Sequence, residues 1–350
     1  MPLTQTLPVA LGILDPLYVA FGWIMRLLYH VFANYGVVII IFTIFFRAIM
    51  IPLYVRQHKT SLLQGQLRDE MNELQRRYAD DKQGFSMAQM ELYKQHKISM
   101  FSGCLPQLLG LILIWPVWRI ISSPLRYILG LPIENLRTMA TQLGEAGLLS
   151  APEIQNIERM DIPILQVLMT NGDQLARAVG DGLIRADQLI NFDFLGLNLG
   201  VRPTWQPALL FGDERGTYLP LLIIPVVALL TTILLQKFSE SYNPMMAQTK
   251  SEREKAERNP ARDMPQQQQS ESMMKSMKIM MPVMTLMTVF WAPAAMGVYW
   301  IVGNLMGILQ AYLLYRLYTK PVQEQIAAIE ERTRLGISAP AVPASSEPES

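Results

Sequence analysis

The sequence predicts an all-α membrane protein. It is expected to have five transmembrane helices, an N-terminal amphipathic helix lying in the interface, and a cytoplasmic helical hairpin. Three observations lead there. Of 350 residues, 51% are apolar and only 17% are charged, against about 25% charged in an ordinary soluble domain. Mean hydropathy is positive, +0.20. The missing charge is concentrated in five apolar stretches. Each is roughly 18–22 residues long, enough at ~1.5 Å per residue to cross a ~30 Å hydrocarbon core.

The elements follow in chain order. Residues 1–34 are read as an external tail and interfacial helix. Segment 15–33 is apolar but carries Asp15, Pro16, Arg26 and His30. Trp23, Arg26 and His30 share one helical face by their spacing. A sixth span is the competing reading. The first span is 35–55. Residues 56–103 pattern as a cytoplasmic helical hairpin. Leu67, Met71, Leu74 and Tyr78 repeat at coiled-coil spacing, and "ADDKQG" at 79–84 supplies the turn. The second span is 104–121. The external loop 122–216 is too long to be a bare connection. Its "SAPEIQNI" and "MTNGDQLARAVGDGLI" suggest short capped helices. The third span is 217–236, followed by a cytoplasmic loop at 237–273. The fourth span is 274–291 and the fifth 294–315. "APAA" at 292–295 leaves almost no loop between these two, so they form a tight hairpin. Residues 316–350 are a cytoplasmic tail, of disordered composition beyond Gly336.

Basic residues set the orientation. Every Lys lies between Lys59 and Lys97, between Lys237 and Lys278, or at Lys320. The 122–216 loop has seven Arg but eleven acids. Basic loops stay inside, so the two Lys-bearing loops and the C-terminus are expected in the cytoplasm. The N-terminus and the acidic loop are expected outside. No Arg precedes Arg26, and no Lys precedes Lys59. A basic signal-peptide start and an Arg-rich transit peptide are therefore not expected, and the bacterial plasma membrane is.

Several chemistries are excluded. Three His and one Cys, Cys104, cannot build a Cys/His metal site. No span contains His, so a Ser–His intramembrane protease is not expected. There is no phosphate loop and no HExxH, and the net charge of +1 carries no nucleic-acid footprint. The expectation is a chain that is not an enzyme, takes no cofactor and recognises no nucleic acid directly.

Arg47 is the sharpest residue. It lies nine residues before Arg56, ~13 Å from the cytoplasmic end of its span. A charge at such depth costs about 2.5–3.5 kcal/mol or more. Snorkelling to the nearer surface is the plain reading. Helical side chains lean toward the helix N-terminus, however, which here is the outside. A water-filled cavity accounts better for it. No Asp or Glu occurs in any span, so no acid compensates the charge. Thr43 lies one turn away. Gln107, Gln236, Asn304 and Gln310 are the other amides in the spans, either lining a polar groove with Arg47 or bonding helices together. Met273, Met277, Met280, Met284 and Met287 form a stripe. Ordinary packing is its plain reading, and a pliable surface for varied apolar partners the other.

"IIIFTIFFRAIMIPLYVRQHKTS", "YADDKQG", "ELYKQHKI" and "SGCLPQLL" resemble the first half of the YidC-type membrane insertase family. "FLGLNLGVRPTWQ", "YLPLLIIPVVALLTTILLQ" and "MPVMTLMTVFWAPAAMGVYWIVGNLMGILQ" resemble its second half. The likeness is to the Gram-positive-like form that lacks a large N-terminal outer domain. It implies a five-span core around a hydrophilic groove open to cytoplasm and lipid but closed outside. The groove residues implied are Arg47, Thr43, Gln236, Tyr299 and Trp300, with Gln107 and Asn304 added from the reading above. The substrates implied are nascent membrane proteins, handled alone or beside the Sec translocon, with ribosome and targeting factor as further partners. Three departures stand out. Gly110, Leu111 and Ile112 replace a usual "QMP", with Gln107 one turn earlier. An insertion occupies about 134–190. In the tail, Arg316, Lys320, Arg332 and Arg334 are offset by Glu324, Glu330 and Glu331, so it is not strongly basic. A transporter or lipid flippase is the alternative reading. It would call for paired intramembrane charges or an inverted repeat.

Overall fold

A computed structural model of the protein describes residues 7–96, 98, 105–242 and 265–334. Side chains are described for these except 7–15, 68, 105–111, 265–275, 277, 326, 330 and 332–334. Cys104, most of the 237–273 loop and the end of the tail lie outside the described residues, as do the side chains of Gln107, Met273 and Met277. The chain divides into two compact units. One takes in Met1–Ile51, Cys104–Gln236 and Met264–Gly307, and the other Pro52–Gly103, Lys237–Asp263 and Ile308–Ser350.

The fold is helical. α1 spans Leu7–Phe32, α2 Tyr35–Gln66, α3 Arg68–Arg77, α4 Lys82–Gln95, α5 Leu105–Ser122 and α6 Pro124–Tyr127. The segment between α6 and the strands holds α7 Ile133–Glu145, α8 Ala151–Gln155, α9 Ile162–Thr170 and α10 Gly172–Gly180. Then come the short strands β1 Asp193–Phe194 and β2 Leu197–Asn198, followed by α11 Pro207–Phe211, α12 Arg215–Leu221 and α13 Ile223–Tyr242. α14 Pro265–Trp291, α15 Ala294–Leu314 and α16 Lys320–Arg334 complete the order.

Among the described residues, three helical stretches are long and apolar enough to cross a membrane: Tyr35–Gln66, Arg215–Tyr242 and Ala294–Ile329. Pro16–Phe32, Ile112–Ser122 and Lys278–Trp291 are shorter apolar helices. The expected second and fourth spans therefore lie within α5 and α14, whose described apolar parts are short. Boundaries differ from the sequence expectation for local reasons. α2 runs past 55 to Gln66 because nothing after Pro52 breaks it, so Leu67 falls at a joint and not within a hairpin arm. The third expected span falls within Arg215–Tyr242, with a single turn residue at Leu222. Pro225 lacks the N–H that would bond the Leu221 carbonyl, and α12 ends there.

In the first unit, α1 packs on α5 and α6. Tyr18 and Met25 of α1, Tyr35, Val38, Ile39 and Phe42 of α2, and Val117, Ile120 and Ile121 of α5 are buried together. The Tyr35 hydroxyl donates to the Ile121 carbonyl at 2.6 Å. Arg26, expected on the wet face of an amphipathic helix, donates Nε to the Ile128 carbonyl at 2.8 Å. The exposed side of α1 carries Val19, Trp23, Leu27 and Val31, so its outward face is largely apolar.

The ribbon β1–β2 turns at Leu195 and Gly196, both with positive φ. Its Phe194 ring lies over Gly36, where a Cβ would stand 2.4 Å from the ring. Only glycine lets α2 approach so closely. Beyond the ribbon, the Leu199 and Val201 carbonyls accept from Ala295 N and Ala294 N at 2.9 Å. Two of the otherwise unpaired N–H groups that open α15 are satisfied in this way.

The inserted segment has its own core. Leu136, Met139, Ala140 and Leu143 of α7 are buried, as are Ile162, Ile164, Leu165 and Leu168 of α9. Glu153 accepts from Ser150 N at the start of α8, and Asn171 from Gln174 N at the start of α10. Asp161 attaches this segment to the end of α5 and to α6, and Arg119 of α5 adds a bond to the Glu158 carbonyl. The buried Asp161 carboxylate accepts from Leu125 N at 3.1 Å and Arg126 N at 2.9 Å. Its own N–H donates to the Ser122 carbonyl. Burial pushes the Asp161 carboxyl up to about 7, against the pull of those two donors and the Arg126 charge.

In the second unit, α3 and α4 pack together, with Leu67 and Leu92 buried. Asp81 caps α4 by accepting from Gln83 N and Gly84 N. His58 Nε2 and Thr319 Oγ1 lie 2.8 Å apart, and Lys59 stands over the Tyr318 ring.

Candidate functional site

The candidate residues are held by α2, α13 and α15 in the first unit. α13 and α15 meet at three heights there. A Cβ on Gly297 would stand 2.2 Å from the Ile224 side chain, and one on Gly307 would stand 3.0 Å from Leu235. Between them, Asn304 Nδ2 donates to Thr232 Oγ1 at 2.9 Å and Thr231 Oγ1 at 3.2 Å. Partner numbers climb together on both helices, so the two run in the same direction. Both threonines donate back to their own helix, to Val227 and Ala228 carbonyls. That leaves their oxygens free to accept from Asn304. The buried amide is thus a helix–helix clasp and does not line an open surface.

Arg47 is half-buried on α2. Its guanidinium lies against α15 at Gly303, where a Cβ would stand 3.2 Å from Nη2. Among the described residues, no hydrogen bond or ion pair reaches it. Thr43, one turn earlier, is fully buried and donates to the Ile39 carbonyl at 2.6 Å. Its hydroxyl serves its own helix. Tyr299 and Trp300 are half-buried, with ring centroids 6.3 Å apart. They precede Gly303 by four and three residues, which puts them on the same face of α15 as the Arg47 seat. Gln236 and Gln310 are half-buried.

The structure thus brings Arg47 to the Tyr299–Trp300 face of α15 and assigns Asn304 to packing. Gly303, Thr231 and Thr232 are the participants that the sequence reading does not single out. The one sequence signal was the spacing of seven between Gly297 and Asn304 and between Ile224 and Thr231. The described members of the methionine stripe turn outward. Met280, Met284 and Met287 are 55%, 58% and 67% exposed, while Val289 is buried. Among the described residues these three side chains are not buried in the core, where the plainer expectation would put them.

Chemically, the site offers one cation, aromatic rings and amides. No cluster of three or more His, Cys, Asp or Glu suited to a metal occurs among the described residues. A charge without an internal partner is suited to attracting an acceptor that comes and goes.

Comparison with known proteins now bears on the site. The family described as 60Kd inner membrane protein matches residues 27–321. The chain belongs to this family. The match begins within α1, ends beyond α15 and takes in every candidate residue. Among its relatives, the membrane protein insertase YidC of Caldanaerobacter subterraneus subsp. tengcongensis is 37% identical over 102 residues, 29% of this chain and 50% of that protein. The protein of the same name from Fusobacterium nucleatum subsp. nucleatum is 36% identical over 90 residues, 26% of this chain and 44% of its own length. That of Pelobacter propionicus is 34% identical over 95 residues, 27% of this chain and 18% of its own. The chain therefore aligns with half or less of each of these family members.

Proposed function

We propose that the chain is a membrane protein insertase. The observation that carries this reading is Arg47, a half-buried cation without a bonded partner among the described residues, seated beside Tyr299 and Trp300. The names of the family members support it. In this reading a groove lined by Arg47, Gln107, Gln236, Tyr299 and Trp300 opens to cytoplasm and lipid, while the buried Thr43 and Asn304 support its wall from behind. The polar tail of a nascent membrane protein pauses near the Arg47 charge while its apolar segment leaves sideways into lipid. Burial of apolar surface supplies the driving force, and the wet groove lowers the barrier. Neither nucleotide nor metal takes part.

The same reading has five spans, with the N-terminus outside and the C-terminus in the cytoplasm. α1 lies in the outer interface, and α3 and α4 lie in the cytoplasm. The distribution of Lys and the common direction of α13 and α15 support this arrangement. Substrates arrive alone or beside the Sec translocon, with the ribosome and a targeting factor on the cytoplasmic side.

The test is reconstitution. The purified full chain in liposomes should insert a small single-span protein with an acidic translocated tail, without ATP. Arg47→Ala should slow this about ten- to a hundredfold, as loss of a charge-assisted contact of about 1.5–3 kcal/mol implies. Arg47→Lys should retain most of the rate, since a point charge serves where no bidentate partner is required. Insertion no faster than in empty liposomes would overturn the reading, and lipid scrambling or solute uptake in its place would favour the transporter or flippase alternative.

A further inference from the structure

Two adjacent residues of α15 do different work. Successive residues of a helix are about 100° apart, so Asn304 is directed at α13 while Gly303 is directed at α2. Asn304 holds the rotational setting of α15 through Thr231 and Thr232. With that setting held, position 303 meets Arg47. A Cβ there would stand 3.2 Å from Nη2, 3.8 Å from Nε and 3.9 Å from Cζ. All three are guanidinium atoms, so the flat head of Arg47 lies on bare backbone. Gly303 is itself buried, which leaves the head no room to slide under a larger residue.

We propose that Gly303 is the positioning residue for Arg47, its missing side chain forming the seat that holds the guanidinium beside Tyr299 and Trp300. Arg47 has no bonded partner to hold it among the described residues. A long side chain in that position loses direction unless packing supplies it, because its rotamer freedom is large. The seat supplies that packing without neutralising the charge. A carboxylate would hold Arg47 more firmly and would also cancel it. The effect is graded by size. An added methyl requires the guanidinium to give by a few tenths of an ångström, which its flexible end allows. A branched side chain fills the seat and displaces the head.

The consequence for substrates rests on the insertase reading, whereas the seat rests on geometry alone, so the experiment reads them separately. The full chain in liposomes is prepared with Gly303, Gly303→Ala and Gly303→Leu. Modification of Arg47 by phenylglyoxal, followed by peptide mass spectrometry, reports the seat. The rate should rise severalfold in Gly303→Leu and less in Gly303→Ala. An unchanged or slower rate in both overturns the proposal, and the alanine variant keeps it testable if the leucine variant does not fold. Insertion of acidic-tailed and neutral-tailed single-span substrates reports the consequence. Gly303→Leu should fall to the Arg47→Ala rate on the acidic tail alone and add nothing in an Arg47→Ala background. Equal loss on both tails, or further loss in that background, makes Gly303 a packing residue and overturns the positioning role. If Arg47→Ala itself spares the acidic tail while Gly303→Leu still alters the chemical reactivity, the seat stands and the insertase reading of Arg47 falls.

Discussion

Asn304 and Arg47 are both polar residues in apolar helices, and burial separates what they do. Asn304 is buried with both hydrogens donated. Asn304→Ala should therefore lower stability in detergent by about 1–2 kcal/mol, in line with interhelical hydrogen bonds in membrane proteins. A melting temperature equal to that of the parent would show the clasp to be idle. Asp161 is a different buried polar group, outside the apolar spans. Its carboxyl is pushed from an ordinary 3.8 to about 7, so the folded protein holds the proton more tightly than the unfolded chain. The resulting stabilisation is complete below about pH 3.8 and is lost as pH rises through about 7. The charged groups around it are few: Arg126 pulls its pKa down, and Tyr35 lies close enough to feel its charge. Thermal unfolding should become less favourable to the native state between pH 5 and pH 8, and Asp161→Asn should flatten that slope. A slope unchanged by the substitution would assign it to other groups. Arg47 was legible in the sequence because a charge in an apolar run is expensive. Gly303 was not, because a missing side chain says nothing until a neighbour is placed against it.

At the scale of elements, α14 departs most from its plain expectation. A methionine stripe at helical spacing is usually core. Here Thr285 and Val289 face inward while Met280, Met284 and Met287 are exposed. Unbranched thioethers on an outward face adapt to many apolar shapes. A photo-crosslinker at Met280 or Met284 should capture a stalled nascent membrane protein. Adducts confined to lipid would make the stripe a lipid-facing surface only. α13 and α12 show how local chemistry marks a span. Pro220 and Pro225 stand in an apolar run that reads as one segment and spans Arg215–Tyr242, and the helical bonding is interrupted only at Leu222, where Pro225 leaves a carbonyl without its donor. α1 shows the reverse limit. Its Arg26 is exposed, as spacing alone suggests, but it also bonds the carbonyl of a residue 102 positions away, which spacing cannot show.

For the whole molecule, orientation is the testable quantity. In a Cys104→Ser background, single cysteines placed within 122–216 should react with an impermeant thiol reagent in intact cells. A cysteine at Lys82 should react only after lysis. Labelling of Lys82→Cys in unbroken cells would invert the topology. The external segment should be reached most readily at exposed positions such as Arg137 or Asp187. It is a folded body with its own core, joined through Asp161 to the end of α5 and to α6.

The sequence by itself determined the helical class, the apolar stretches, the capped helices of the outer segment and the isolated cation. Each follows from periodicity, composition or the cost of burying charge, which are properties of neighbours along the chain. Only the tertiary structure decided which polar residues are consumed by packing and which are left to act. Thr43 and Asn304 carry the same local signal as Gln236. The first two bond inside the protein because α2 closes its own turn and α13 presents two hydroxyls at the height of Asn304. That choice depends on register between helices distant in sequence, and no local pattern encodes it. The seat of Arg47 on Gly303 belongs to the same class, a contact between residues 256 positions apart whose defining feature is an atom that is not there.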